Sequence, residues 1–302
     1  MTRDENWLLK EKYRGVESVA FRADCERLTL GEPLGYVIGY IPFLNCQIWL
    51  DTKPLIPRPE TEFWVEKAIS EIKSSVIASR AWHSTINNAN VGVDYLPAQA
   101  YFVLRNDYEK NKHNLRGETP KIQTYQDRAH VKVLDLCAGS GAIGVAVAKA
   151  VPKTEVTFAE IDPALLPTIE KNFLSNIAIN RDIREKQYEI VESDLFENIT
   201  GQFDFILTNP PYIDVKAETV EKSVTTHEPH LALFGGEGGM EIIERIVAGA
   251  GAKLRPHTGQ LWIEHEPAQV TALTSLAHQY NFQIVTHPDQ YGTPRFSVFI
   301  MA

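Results

Sequence analysis

The stretch VKVLDLCAGSGAIGVAVAKAV, residues 131–151, holds the fold in miniature. Val131 to Cys137 is apolar and rich in strand formers apart from Lys132 and Asp135, which suits a strand buried in a sheet. Ala138 to Gly141 interrupts that run with glycines. Ala142 to Val151 is then apolar nearly all round, as a helix packed tightly on a sheet would be. A strand, a glycine turn and a buried helix in that order make the first crossover of an α/β sheet.

Downstream of this unit the same alternation continues. Strand-like runs lie at Glu155 to Ile161, Tyr188 to Glu192, Phe203 to Thr208 and Gln260 to His265. Helix-like runs separate them at Ala164 to Asn176, about Glu237 to Lys253, and Pro267 to Tyr280. Two closing strands, Phe282 to Thr286 and Arg295 to Ile300, follow each other with only a short connection. Parallel strands joined by right-handed crossovers are therefore expected, with helices on both faces and an antiparallel edge. Pro167 is compatible with its helix only if it falls in the first turn, where the missing N–H costs nothing.

Upstream, residues 1 to about 30 read as short helices, and 31–57 as a β-hairpin rich in Gly, Pro and aromatic residues. Phe63, Val65, Ala68, Ile69 and Ile72 recur near helical spacing from Thr61 to about Ile77. From about Arg80 to Arg128 the periodicity is lost. The expected organisation is an N-terminal helical segment plus hairpin over 1–57 and a main domain over 58–302. An insertion at about 75–130 interrupts the latter, ordered in part around Tyr95 to Leu104 and otherwise mobile.

Composition narrows the function classes. The chain of 302 residues is 44% hydrophobic and has no apolar run of bilayer length. Charges mixed through MTRDENWLLKEKYRG argue against a secretory signal, and three cysteines without a CxxC pair suit a reducing compartment. A cytoplasmic monomer is expected, with no membrane partner. A net charge of −9 disfavours general nucleic-acid binding.

The turn carries GxGxxG at Gly139, Gly141 and Gly144, and Glu160 follows about twenty positions on, where a ribose would be held. By spacing alone this is a dinucleotide site or an S-adenosylmethionine site. Asp135 at the strand end is placed to meet the ammonium of an amino-acid moiety, which nicotinamide cofactors lack. Asp194, after the third strand, is placed to accept from an adenine amino group, with Leu195 against the ring. The plain alternative for both acids is capping of the turns that follow them.

The fourth strand ends in Asn209-Pro210-Pro211-Tyr212, and two prolines in succession end a ladder for want of donors. A planar NH2 group has a delocalised lone pair. Attack on an electrophilic methyl needs two acceptors that hold its hydrogens and aim the nitrogen. The Asn209 side-chain oxygen and the Pro210 carbonyl can supply both, with Tyr212 flanking the acyl or ring plane. Asn209, Pro210 and Tyr212 are the candidate catalytic residues.

Together, GEPLGYVIGYIPF (31–43), LIPRPETE (55–62), VLDLCAGSGAIGVAVA (133–148), ESDLFENI (192–199), FDFILTNPPYI (203–213), HEPHLALFGGEGG (227–239) and LWIEH (261–265) carry a resemblance to the HemK/PrmC family of protein-(glutamine-N5) methyltransferases. The resemblance implies a Rossmann-like, seven-stranded class I S-adenosylmethionine-dependent methyltransferase sheet. It implies S-adenosyl-L-methionine bound by Cys137, Ala138, Gly139, Ser140, Gly141, Glu160, Leu195 and Asn209, with S-adenosyl-L-homocysteine as product. The implied substrate is the glutamine of the Gly-Gly-Gln loop of a peptide chain release factor, clasped by Asn209, Pro210, Pro211 and Tyr212. Arg58, Pro59, Glu60 and Thr61 would line the mouth, Phe43 would pack beside the site, and Glu228 and Pro229 would brace the NPPY loop.

Three departures stand out. Only about 30 residues precede the hairpin where the family has a larger helical domain that grips the release factor, and the insertion is long. Cys137 stands where a glycine is frequent, and a small residue of ordinary φ is expected to suffice there. NPPY is shared with adenine-N6 methyltransferases acting on DNA or RNA, which is one alternative; a cofactor-binding interaction protein without chemistry is another. Nine histidines invite a metal, but HEPH and HEP lack the i, i+4 helical pair of a zinc hydrolase, and none is expected. GGEGG reads as a flexible turn before a helix.

Overall fold

The computed structural model describes residues 1–87, 131–152, 154–177, 188–216 and 222–301. Its centre is a seven-stranded sheet made of β3 (Val131–Leu136), β4 (Thr154–Glu160), β5 (Tyr188–Glu192), β6 (Phe205–Thr208), β7 (Gln260–Glu264), β8 (Phe282–Pro288) and β9 (Pro294–Met301), in the order β5-β4-β3-β6-β7-β9-β8. Pairs from β5 through β7 are parallel, while β9 runs antiparallel to both β7 and β8. The expected α/β sheet with an antiparallel edge is the one found. The order reverses beside β3, which places a crevice at the C-terminal ends of β3 and β6.

Side-chain alternation along the strands divides the core in two. Val131, Val133, Phe205 and Leu207 face α4 (Pro59–Asn87) and α5 (Ala142–Ala150); Leu134, Leu136 and Ile206 face the opposite side. There, beyond the short helices α7 (Lys222–His227) and α8 (His230–Leu233), they meet α9 (Glu241–Lys253) and α10 (Val270–Gln279) through Ile243, Ile246, Val247 and Leu273. α6 (Leu166–Asn176) begins so that Pro167 lies in its first turn, as its ring requires.

Before the sheet come α1 (Arg3–Glu11), α2 (Val19–Thr29) and α3 (Leu34–Ile38), which share a small core of Leu8, Phe21 and Val37. The hairpin is β1 (Tyr40–Phe43) and β2 (Cys46–Trp49). It packs on the main core: Phe43, Cys46 and Ile48 join the cluster that holds α4 and α5. The free edge of β2 meets α6. Asn176 accepts from the Gln47 N–H and donates to its carbonyl, both at 2.9 Å, and Asn172 does the same for Trp49 at 2.7 and 3.0 Å.

Two element bounds differ from expectation. Within 31–57 the hairpin is preceded by α3, whose five residues are too few to show a helical period. α4 runs on to Asn87, past about Ile77 where helical spacing was expected to end, because a helix once nucleated extends at little cost per residue. The segment from Tyr95 to Leu104 lies outside the described residues. Among the described residues no helix is long and apolar enough to cross a membrane.

Candidate active site

The crevice at the ends of β3, β4 and β6 is walled by Cys137 to Ser140, Glu160 to Asp162, Ser193 to Leu195, Asn209 and Pro211. The glycine turn faces it with backbone. Gly139 and Gly141 take φ values of 56° and 76°. A side chain on Gly139 would meet nothing within 4 Å, so that surface is open. Behind the turn the approach is close: a Cβ on Gly144 would strike Phe158 and Val156. Cys137 has φ 59°, so the expectation of ordinary φ was wrong, and the left-handed turn explains why glycine suits this position. Cys137 is half-buried, and desolvation of its thiol together with the nearby Glu160 charge pushes its pKa up and leaves it protonated.

Glu160 is buried, and its carboxylate accepts the Gly139 N–H at 2.7 Å on one oxygen and the Ile161 and Asp162 N–H groups at 2.9 and 3.0 Å on the other. Burial raises its pKa and these donors oppose the rise. Oε2, with one backbone donor, retains acceptor capacity for a ribose hydroxyl. Leu195 packs against the crevice at φ 50°. Asp194 also lines it, while its Oδ2 accepts from Arg245 of α9 at 2.8 Å, a pair that aims the carboxylate.

Asp135 is not on the wall. It is fully buried beneath the turn, with Oδ2 accepting the Gly144 N–H at 2.8 Å and Oδ1 without a hydrogen-bond partner among the described residues. Burial raises its pKa well above the usual carboxylate range. The local role seen is thus the capping one, holding the start of α5.

The NPPY corner is held by side chains from distant elements. The Asn209 Nδ2 donates to Thr61 Oγ1 at 3.2 Å. Thr61 and Trp64, both on α4, donate at 2.7 Å to Oε2 of Glu264, which is buried at the end of β7. The Tyr212 hydroxyl donates to Oε1 of the same carboxylate at 2.9 Å. Burial and then the Glu264 charge raise the Tyr212 pKa well above normal, so the phenol stays protonated. Pro210 is buried, and neither it nor Tyr212 is among the residues that wall the crevice.

Beyond Tyr212 the chain is stitched to 233–239. Ile213 exchanges backbone bonds with Leu233 and Gly235, and Gln269 Nε2 donates at 2.9 Å to the Tyr212 carbonyl. GGEGG is therefore a fitted seat and not merely a flexible turn. A Cβ on Gly235 would collide with the Pro211 carbonyl, and one on Gly239, at φ 67°, with that of Tyr212.

The remaining expected residues divide. Thr61 and Pro229 line the crevice; Arg58 and Glu60 do not. Arg58 pairs with Glu228, whose other oxygen takes the Ile56 N–H at 3.1 Å. Glu228 thus braces the 56–58 segment and not the NPPY loop. Phe43 is a core residue, not a wall. Sequence reading missed Asp162, Leu165, Leu231, Ala232 and Phe234 on the wall, and Glu264 and Gln269 behind it. LALF and LWIEH were noticed as strings, but nothing in them says which side chains turn inward. Among the described residues no cluster of three metal-ligating side chains occurs.

The geometry offers an apolar slot for a ring, a backbone cradle, a buried acceptor for a ribose, and a fixed carboxamide at the far end. These are the requirements of S-adenosylmethionine next to an acceptor for an NH2 group. Residues 121–237 match the Methyltransferase small domain model. A release factor glutamine methyltransferase of Rhodopirellula baltica is 30% identical over 87% of this chain and 71% of its own length. One from Deinococcus radiodurans is 25% identical over 90% and 75%. Among solved structures, the T. Thermophilus 16S rRNA N2 G1207 methyltransferase aligns at TM-score 0.40 and 20% identity, over 70% of this chain and 45% of that one.

Proposed function

The chain belongs to the release factor glutamine methyltransferase family, and from that premise we propose that it methylates the side-chain amide nitrogen of the glutamine in the Gly-Gly-Gln loop of a peptide chain release factor in the cytoplasm. The observation that carries the reading is Asn209: on the crevice wall, with its amide nitrogen tied to Thr61, it keeps its oxygen as the acceptor for a substrate NH2.

S-adenosyl-L-methionine, when bound, supplies a sulfonium methyl and leaves as S-adenosyl-L-homocysteine. Cys137 to Gly141 would cradle its amino-acid end, Glu160 its ribose, and Asp194 and Leu195 its adenine. Asp135 acts through the start of α5 instead. Asn209 Oδ1 and the Pro210 carbonyl hold the hydrogens of the glutamine amide and aim its nitrogen, while Pro211 and Tyr212 fix the corner. The nitrogen gains positive character as its bond to carbon forms, so nearby oxygen acceptors stabilise the transition state more than the ground state, and the nitrogen then gives up one of its two hydrogens as a proton to solvent. Protonated Tyr212 is a strut and not a base. Arg58, through Glu228, serves the mouth by ordering the segment that enters α4, and Glu60 stands in the first turn of that helix.

The test is transfer of labelled methyl from S-adenosylmethionine to a purified release factor, against the same factor with its loop glutamine replaced. Label on the intact factor alone is expected. Equal label on both, or label on nucleic acid only, overturns the reading.

A further inference from the structure

With Glu264 ionised, the polar contacts that join it to Thr61 and Trp64 leave one arrangement of hydrogens. We propose that Glu264, acting through Thr61, is a positioning residue that dictates which end of the Asn209 carboxamide faces the crevice. The inference rests on the reading of this site as an amide-methylating centre.

Trp64 Nε1 can only donate, so the Glu264 oxygen it meets at 2.7 Å must accept. Thr61 has one hydroxyl hydrogen and spends it on that same oxygen, also at 2.7 Å. Its Oγ1 then has lone pairs alone to offer, and at 3.2 Å it can take only an N–H from Asn209. The nitrogen of the carboxamide is held inward and Oδ1 is left for the substrate. Reversed, the carboxamide would present donors to an NH2 group and repel it. Tyr212 closes the other oxygen of the carboxylate at 2.9 Å. One buried acid thus sets the polarity of Asn209 and the pose of Tyr212 together. Neither Thr61 nor Glu264 needs to touch the reacting atoms for this.

The test uses the full chain, labelled S-adenosylmethionine and a release factor. Thr61→Val, similar in shape but without the hydroxyl, is expected to lower kcat by about thirtyfold or more while KM for the cofactor stays within about threefold. Thr61→Ser, which restores the hydroxyl, is expected to return kcat to within about threefold of wild type. Wild-type turnover in Thr61→Val overturns the relay and leaves the functional reading standing. A second measurement needs neither turnover nor the valine variant. In wild-type protein with 15N-labelled asparagine side chains, one Asn209 amide hydrogen should exchange with solvent about tenfold slower than in free asparagine. Exchange at the free rate overturns the relay, whether or not the release factor is methylated.

Discussion

The turn from Cys137 to Gly141 and the corner from Asn209 to Tyr212 each lend residues to one crevice, Cys137 to Ser140 from the first and Asn209 and Pro211 from the second, but the two are held differently. The first is secured within one crossover, mostly through backbone N–H groups: Gly141 on the Ala138 carbonyl at 2.7 Å, Gly144 on Asp135 at 2.8 Å and Gly139 on Glu160 of the adjoining strand at 2.7 Å. The second depends on Thr61, Glu264 and Gln269, which lie far off in sequence and meet only when α4, β7 and the start of α10 are docked. A wall of backbone tolerates substitution of its neighbours; a wall of side chains concentrates its geometry in a few atoms. The cofactor half should therefore survive changes that abolish transfer.

The largest expected effect tests this directly. Asn209→Ala should reduce methyl transfer by about a thousandfold or more, since the acceptor acts in the transition state. Cofactor affinity should stay within about tenfold, roughly 1.4 kcal/mol. Calorimetric binding and initial rates check it, and parallel losses in both would mean the two walls are not separable.

Next in size is Gly239→Ala. Positive φ and the Tyr212 carbonyl in the way of a methyl should cost about 3 kcal/mol of stability. Denaturant unfolding measures it; a cost below about 1 kcal/mol would show that the seat under NPPY yields.

Glu264 offers a sharper probe. Burial raises its pKa against the pull of Trp64, Thr61 and Tyr212. Protonated, it would donate where it must accept, so transfer should fall with acid at a higher pH than an ordinary glutamate would give. Stability moves the other way. With the folded value above the unfolded one, the group's favourable contribution is full below the unfolded pKa and is lost as pH rises through the folded pKa. The stability of Glu264→Gln relative to wild type should therefore increase with pH across that window. Rates and melting temperatures in matched buffers test both signs.

The smallest effect belongs to the backbone wall. Cys137→Gly, which relieves φ 59°, should stabilise by about 0.5–1 kcal/mol. Cofactor affinity should hardly change. A loss of stability would show that the packing of Cys137 outweighs its strain.

The same contrast explains what could be read in advance. The strand, glycine turn and helix at 131–151 are local, so period and composition exposed them, as they exposed the order of the later strands. NPPY was legible as chemistry because two prolines restrict conformation wherever they occur. What stayed hidden was tertiary. Asp135 looked like a ligand group because its position along the strand does not reveal that it points under the turn. Glu264 looked like the end of a strand, since its three donors come from α4 and from the loop after β6. Cys137 looked neutral because residue size carries no information on the sign of φ.

The hairpin has a consequence for association. Four residues of helix rise about 6.0 Å and two of strand about 6.6 Å, close enough for Asn172 and Asn176 to act as rungs for Trp49 and Gln47. Two side-chain amides thus impersonate a third strand, and Pro42 on the other strand lacks an N–H to offer. A ribbon of only two strands is in this way sealed against templating by another chain.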